Sequence, residues 1–177
     1  MSASIPIDPE RKQQVAAALR ARLPERCVLS DAEDTRPYEC DGLAAYRQQP
    51  MIVTLPDSEE QILTILNICR ELKVPIVPRG AGTGLSGGAL PIADGVVIST
   101  ARLNRIVRVE PYARLAVVQP GVRNLAISEA AAPHDLYYAP DPSSQIAYTI
   151  GGNVAENSGG VHCLKYGLTV HNVLRVR

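Results

Sequence analysis

The sequence contains neither tryptophan nor phenylalanine, and its seven tyrosines are its only aromatic residues. Core filling therefore falls to valine, isoleucine, leucine and alanine, which suits an α/β domain rich in strands. The chain also lacks an excess of either charge, since 18 lysines and arginines balance 18 aspartates and glutamates. A net charge of zero gives no reason to expect a nucleic acid or an acidic membrane surface as a partner.

Leader segments, membrane spans and disulfide patterns are also missing. The first residues carry no basic stretch leading into an apolar core, and no apolar run approaches the roughly 18 residues that a membrane helix needs. Cys27, Cys40, Cys69 and Cys163 show neither C-x-x-C spacing nor the density of a secreted scaffold. We therefore expect one cytoplasmic domain with reduced thiols. Such a domain would associate with the periphery of a membrane only through partner subunits.

Hydrophobic periodicity predicts a helix and a βαβ unit in the first half of the chain. The helix spans residues 9–23, between Pro9 in its first turn and a second proline after its end. Residues 51–56 (MIVTLP) predict a strand, a capping box and apolar helical spacing follow at 58–72, and residues 74–77 (VPIV) predict a second, parallel strand. Residues 30–50 are expected to be irregular, with at most one turn of helix.

Strands, one helix and loops are predicted for the second half. Three apolar runs at 95–100, 105–111 and 114–121 are separated by short turns, which favours a meander over further crossovers. Residues 125–132 are rich in alanine and predict a helix that ends at the following proline. The segments 137–145 and 149–167 are polar and rich in glycine or proline, so we expect loops there, and the end of the chain (NVLRVR) resembles a strand.

A glycine-rich loop, RGAGTGLSGG, occupies residues 79–88 directly after the second predicted strand. Glycine reaches positive φ, so successive N–H groups can turn inward as a nest for a phosphate or pyrophosphate. Gly82, Gly84 and Gly87 match G-x-G-x-x-G, but Pro91 prevents the helix that a Rossmann site requires. A Walker A lysine and the kinase motifs are missing. A mobile surface loop is the alternative, and the flanking βα unit favours phosphate binding.

Two later segments could also contact a ligand. In APDPSS (139–144) two prolines fix a turn that offers serine hydroxyl and N–H groups to a polar ring edge. In TIGGNVAENSGG (149–160) the glycines can bring the backbone close to a flat or phosphorylated group, and Asn153 and Asn157 supply amides. Taken singly, each segment is more often a structural turn.

Together and in this order, the segments resemble the vanillyl-alcohol oxidase and p-cresol methylhydroxylase superfamily of flavoproteins. More narrowly, residues 79–91, 119–134, 137–145 and 150–172 are similar to the FAD-linked subunits of bacterial glycolate oxidases, and the likeness extends from Tyr38 onward. The resemblance implies an α/β FAD-binding domain of two subdomains with the cofactor extended between them. This domain would occupy residues 51–177, after an N-terminal helix and irregular segment at 1–50.

The resemblance also implies which residues hold FAD. The pyrophosphate falls to Arg79, Gly80, Ala81, Gly82, Thr83, Gly84, Leu85, Ser86, Gly87 and Gly88. Near the adenine or ribose it places Pro120, Gly121 and Val122, and near the flavin end Pro142, Ser143, Ser144, Gly151, Gly152 and Asn153. The pocket would be completed by Asn157, Gly159, Gly160, Tyr166 and Gly167. Some members attach the flavin through a histidine after the glycine pair, where this chain has Ala89, so we expect noncovalent FAD.

The activity implied by the resemblance is oxidation of glycolate or D-lactate to the 2-oxo acid, with electrons passing from the flavin to an acceptor other than a nicotinamide. Further flavin and iron-sulfur subunits of a glycolate oxidase complex are the implied partners. The family's cap domain, which holds the substrate carboxylate, is expected beyond Arg177, so we expect an incomplete FAD domain and an inactive isolated chain.

No catalytic base and no metal ligand is assigned within the chain. We expect the three histidines, His134, His162 and His171, to be capping or surface groups, and His162 is the best candidate among them for a place near the flavin. An FAD-binding fragment or paralogue without catalysis is the alternative function.

Overall fold

The computed structural model describes residues 5–141 and 146–177. The chain forms two compact units, one that ends at Arg102 and one that begins at Leu103. Our division at residue 50 concerns the limits of the FAD-binding domain rather than compactness, and it stays a prediction.

A four-stranded sheet forms the centre of the first unit. Its strands lie in the spatial order β1-β2-β4-β3, and they are β1 (Val28–Leu29), β2 (Ile52–Thr54), β3 (Ile76–Arg79) and β4 (Val96–Ser99). β1 pairs antiparallel with β2, whereas β4 pairs in parallel with both β2 and β3. The two strands of the predicted βαβ unit are therefore parallel, as expected, but β4 lies between them.

The position of β4 corrects the predicted meander. All of its residues are buried, which is typical of a parallel strand covered on both faces. Parallel neighbours need a connection of roughly a dozen residues or more, and residues 80–95 provide one between β3 and β4 without a helix. The glycine loop is thus part of a crossover, a role that the short-turn interpretation missed.

Helix α1 (Pro9–Arg20) covers part of this core. Asp8 caps it, because its carboxylate accepts hydrogen bonds from the N–H groups of Glu10 and Arg11. The helix ends before the predicted residue 23, since Pro24 disfavours the helical conformation at the residue that precedes it. The buried face of α1 nevertheless includes Leu19 and extends to Leu23.

Helix α3 (Glu59–Glu71) lies between β2 and β3 in the chain and confirms the predicted helix. The Ser58 hydroxyl accepts a hydrogen bond from the Gln61 N–H, while the Gln61 side chain accepts one from the N–H of Asp57 rather than of Ser58. Ile65 and Ile68 of α3 pack in one buried cluster with residues of α1, β2 and β4. The short helix α2 (Ala32–Thr35) and a 3-10 helix (Arg36–Tyr38) form two consecutive helical turns, one more than expected within residues 30–50.

The second unit contains a β-hairpin and helices. Strands β5 (Ile106–Glu110) and β6 (Leu115–Val118) pair antiparallel, as the short turn between them predicts. Helix α4 (Asn124–Ala131) continues into a 3-10 helix (Ala132–His134), close to the predicted 125–132. The buried core of the second unit is small and consists of Val122, Ile127 and Ile150.

Helix α5 (Ile150–Glu156) corrects the prediction of a loop over residues 149–160. Each helical glycine costs up to about 1 kcal/mol relative to alanine, yet burial of Ile150 and Asn153 fixes the segment as a helix that ends at left-handed Asn157. A one-turn helix α6 (Cys163–Tyr166) and a 3-10 helix (Thr169–Asn172) follow.

The predicted terminal strand is also wrong. Residues 173–177 belong to no strand, because within the described chain no neighbouring strand pairs with their N–H and C=O groups. None of the helices in residues 5–141 and 146–177 is long and apolar enough to cross a membrane.

Candidate functional site

The glycine loop begins at the end of β3, and its main chain is largely exposed. Gly82 and Gly87 have φ values of 72° and 80°, which confirms the predicted positive φ. The Leu90 N–H donates to the Gly87 carbonyl and closes a turn at the far end. Within the described residues, the N–H groups of residues 81–86 find no hydrogen-bond acceptor. Such a run of free donors can bind an anion.

Arg79 supports the loop from its buried side. The guanidinium Nη1 donates to the Cys40 carbonyl at 2.7 Å and to the Ala89 carbonyl at 3.3 Å, and the group lies 5.6 Å from the centre of the Tyr38 ring. A Cβ at Gly82 would approach Arg79 Nη2 to 2.1 Å, so the loop closely follows this side chain. Burial lowers the pKa of Arg79. Its part in pyrophosphate binding stays a prediction, and its visible contacts are to backbone carbonyls.

In the second unit, Pro120–Val122 and the start of α5 lie against each other, although the resemblance places them near different ends of the cofactor, and their part in FAD binding stays a prediction. The Ile150 N–H donates to the Val122 carbonyl at 2.8 Å and the Gly151 N–H to the Pro120 carbonyl at 2.8 Å. A Cβ at Gly151 would lie 2.8 Å from Pro120 Cβ. Only glycine permits this approach.

Gly152 and Asn153 lie in α5, whereas Asn157 and Tyr166 contact the 3-10 helix Thr169–Asn172. The Asn157 side-chain oxygen accepts a hydrogen bond from the Val170 N–H at 3.0 Å, and the Tyr166 carbonyl accepts one from the Asn172 side chain at 3.0 Å. The others in this group are Gly159, Gly160 and Gly167, all in turns or irregular chain near α6. Their contacts serve the local fold, and their part in cofactor binding stays a prediction.

A cavity of about 220 Å³ opens beside α4 in the same unit. Most of its lining is polar or aromatic, and the lining residues are Asn124, Ser128, Tyr137, Tyr138, Pro140, Asp141, Tyr148 and His162. The predicted flavin contacts Pro142, Ser143 and Ser144 lie outside the described residues, directly after Asp141 in the chain.

Several buried polar atoms of the cavity wall lack a well-aligned hydrogen-bond partner, although Thr169 lies beside the Tyr138 hydroxyl and Asn124 beside the Tyr148 hydroxyl. Among the described residues, Asn124 Oδ1 and the hydroxyls of Tyr138 and Tyr148 have no aligned hydrogen bond. Burial, reinforced by the charge of Asp141, raises the pKa of Tyr148 to about 12, although the neighbouring Asn124 opposes the shift. Unpartnered buried groups are costly in a folded protein unless a ligand or water satisfies them.

His162 is the histidine that lines this cavity. Its Nδ1 lies 3.4 Å from Asp141 Oδ2, and its ring meets the edges of Tyr137 and Tyr166 with centroid distances of 6.3 and 6.4 Å. His171 instead accepts a hydrogen bond from the Leu168 N–H at 3.0 Å, which confirms a capping role. In the part of the chain that the structure describes, no three His, Cys, Asp or Glu side chains are grouped as metal ligands.

The sequence interpretation missed most of the cavity wall. Asn124 and Tyr148 are nearly fully buried, but neither belongs to a recognisable motif. The available signal was the presence of Tyr138 and Tyr148 in a chain without phenylalanine. Tyrosine at a buried position indicates that its hydroxyl group has a hydrogen-bond partner there, in the protein or in a ligand.

The chain is similar to known proteins in both sequence and fold. A family model described as FAD binding domain matches residues 50–177. The chain is 61% identical over 165 residues to the glycolate oxidase subunit GlcD of Escherichia coli (strain K12), a match that covers 93% of this chain and 33% of that protein. It is 39% identical over 148 residues to a D-lactate dehydrogenase of Archaeoglobus fulgidus, covering 83% and 33%. The chain thus spans about a third of the length of these relatives.

A solved structure supports the fold. p-Cresol methylhydroxylase with substrate bound matches with a TM-score of 0.73 at 23% sequence identity, over 88% of this chain and 32% of that chain. This likeness confirms the predicted α/β fold. Because the family model matches more than half of its residues, the chain belongs to the FAD-binding domain family, whose cofactor is FAD.

Proposed function

We propose that the chain is the FAD-binding part of an oxidoreductase that oxidises glycolate or D-lactate to the corresponding 2-oxo acid. The substrate class rests on the names of two relatives, a glycolate oxidase subunit and a D-lactate dehydrogenase. Since the chain spans about a third of each relative, the activity is proposed for the whole protein and the cofactor site for this chain.

The observation that carries the cofactor site is the row of free N–H groups at residues 81–86. A pyrophosphate presents only acceptor oxygens, so it matches a run of free N–H donors. The segment 79–88 contains no acidic residue, and the buried Arg79 guanidinium beneath it adds positive charge. The donor geometry therefore suits the diphosphate of FAD, and the Arg79 charge offsets that of the Asp41 carboxylate, which bonds the loop at the Gly87 N–H.

For the second unit, we propose that the cavity beside α4 binds the polar edge of the flavin. The unpartnered Asn124 oxygen can accept a hydrogen bond, and the Tyr138 and Tyr148 hydroxyls can donate one. A ring edge that carries both donors and acceptors would satisfy these atoms.

When bound, FAD supplies the hydride acceptor for oxidation at the α-carbon of the substrate. The residues of this chain would bind the cofactor, orient it and keep water from its buried polar contacts. The same proposal includes three further points. Electrons pass from the flavin to an acceptor other than a nicotinamide, the partners are flavin and iron-sulfur subunits, and the location is cytoplasmic. The Escherichia coli relative is itself named a subunit, which supports the presence of partners.

FAD retention tests the cofactor site. The purified chain, mixed with FAD and passed through a desalting column, should retain yellow flavin, and the double variant Gly84→Val/Gly87→Val should not. Gly87 has a φ of 80°, and a β-branched residue in such a conformation is strained by about 1–3 kcal/mol. Ala101→Val, on an exposed turn after β4, controls for the added side chain. Equal retention by the double variant and the wild type would contradict the site.

A chimaera tests the substrate class. Replacing the matching third of the Escherichia coli subunit by this chain should preserve dye reduction by glycolate, and the two loop substitutions should abolish it. A folded, FAD-containing chimaera that oxidises neither glycolate nor D-lactate would contradict the proposed activity while leaving the cofactor site standing.

A further inference from the structure

The segment Tyr38–Leu43, which begins at the last residue of a 3-10 helix, lies against the glycine loop, although the two are far apart in sequence. We call this segment the brace. Three of its residues contact the loop or its supporting arginine through backbone or carboxylate groups, and they are Cys40, Asp41 and Gly42. The resemblance assigned no function to this segment.

Asp41 makes the most specific contact of the brace. Its Oδ2 accepts a hydrogen bond from the Gly87 N–H at 2.9 Å, and its Oδ1 accepts one from the Leu43 N–H at 2.8 Å. The residue is 8% exposed. Because a carboxylate accepts through both oxygens, one side chain fixes the brace to the loop at the glycine with positive φ.

Gly42 fixes the same pair of segments through the backbone. Its N–H donates to the Gly84 carbonyl at 2.9 Å. A Cβ at this position would lie 2.6 Å from the Thr83 carbonyl oxygen, closer than real Cβ contacts allow, and the obstacle is backbone. The brace can therefore approach the loop only with glycine at position 42.

Arg79 balances the charge of Asp41 at the base of the loop. Its guanidinium donates hydrogen bonds to the Cys40 carbonyl on the brace and to the Ala89 carbonyl directly after the loop, and Asp41 acts on it as a nearby opposite charge. The buried carboxylate is thus part of a bonded, charge-compensated arrangement, as buried charges generally require.

We propose that Asp41 and Gly42 hold the glycine loop in its anion-binding conformation before the cofactor arrives, which makes Asp41 a positioning residue. The proposal rests on the proposed function of the loop. With the Gly87 N–H directed at Asp41, the donors left for the pyrophosphate are those of residues 81–86. Preorganisation of these donors lowers the entropic cost of ordering the loop on binding.

Amide hydrogen exchange of the cofactor-free chain tests the brace directly. In Asp41→Asn the amide group can accept through only one oxygen, and in Gly42→Ala the new methyl group pushes the brace off the loop without changing charge. Both variants should accelerate exchange at the Leu90 amide, which donates inside the loop and does not touch Asp41, by about tenfold. Asp94→Asn, at an exposed position on the same connection, should leave it unchanged. Unaltered exchange at Leu90 in both variants would overturn the brace.

Affinity for ADP and FAD tests the functional half of the proposal. Both variants should weaken binding by about tenfold, equivalent to 1.4 kcal/mol, while the Asp94→Asn control binds as the wild type does. Tighter binding by Asp41→Asn would show that the carboxylate competes with the phosphates, and would overturn positioning. A wild type that binds neither ligand would refute the proposed function, whereas the exchange measurement would still decide whether Asp41 and Gly42 hold the loop.

Discussion

Two adjacent glycines of α5 should respond in opposite ways to the same substitution. Gly151 and Gly152 are both in the first turn of the helix. A Cβ at Gly151 would lie 2.8 Å from Pro120 Cβ and 2.9 Å from the Pro120 carbonyl oxygen, whereas a Cβ at Gly152 would have Thr149 Oγ1 as its nearest neighbour at 3.6 Å. Both contacts of the Gly151 Cβ are too short, whereas the contact of the Gly152 Cβ is an ordinary van der Waals contact.

The expected magnitudes follow from these distances. Gly152→Ala should raise the free energy of unfolding by about 0.5–1 kcal/mol, because alanine restricts the unfolded chain and favours the helix. Gly151→Ala makes the same gain but must displace the Pro120 backbone, and such overpacking costs roughly 1–3 kcal/mol. The two variants should therefore differ by about 1–3 kcal/mol, with Gly151→Ala the less stable.

Thermal melting of the FAD-free chain by circular dichroism measures the difference. For a chain of this size, 1 kcal/mol corresponds to a Tm change of roughly 2–4 °C, so the two melting temperatures should be separated by several degrees. Retention of the native far-UV spectrum in both variants is the control for global misfolding. Equal shifts in the two variants, or a more stable Gly151→Ala, would refute the close contact between α5 and Pro120.

Two further predictions concern a buried hydroxyl and the mode of cofactor attachment. Burial raises the pKa of Tyr148 to about 12, above the value of about 10 expected in the unfolded chain. The contribution of neutral Tyr148 to the free energy of unfolding is therefore complete below pH 10 and is lost between pH 10 and 12. Tyr148→Phe should reduce this loss in urea titrations, and an unchanged pH dependence of the free energy of unfolding would contradict the burial. Because Ala89 has no nucleophile, acid precipitation of the FAD-loaded chain should leave the yellow colour in the supernatant, and a yellow pellet would indicate a covalent bond.

Local patterns predicted the elements that local physics determines. The cap at Ser58 and the apolar spacing of α3 require only residues that are neighbours along the helix, so α3 was predicted closely. The positive φ of Gly82 and Gly87 likewise follows from the composition of the loop. The hairpin of β5 and β6 needs only two adjacent apolar runs and a short turn.

Pairing order and packing caused the failures. Whether Val96–Ser99 continues a meander or enters the sheet between β2 and β3 depends on which partner buries it, and the apolar run itself is compatible with both. The glycines of α5 predict a loop by propensity, but contact with Pro120 requires small residues there, so tertiary packing reverses the local preference.

The brace shows why a binding loop can be predicted while its support cannot. Residues 79–88 are recognisable because backbone chemistry demands glycine throughout a short stretch, whereas Asp41 meets Gly87 across a sequence separation of 46 residues. A lone aspartate between Cys40 and Gly42 has no pattern that distinguishes it from a surface residue, and its value depends on the one N–H that the folded loop directs at it. The sequence of an anion-binding loop thus predicts its N–H donors, but the groups that hold these donors in place belong to another segment, which only the fold brings beside the loop.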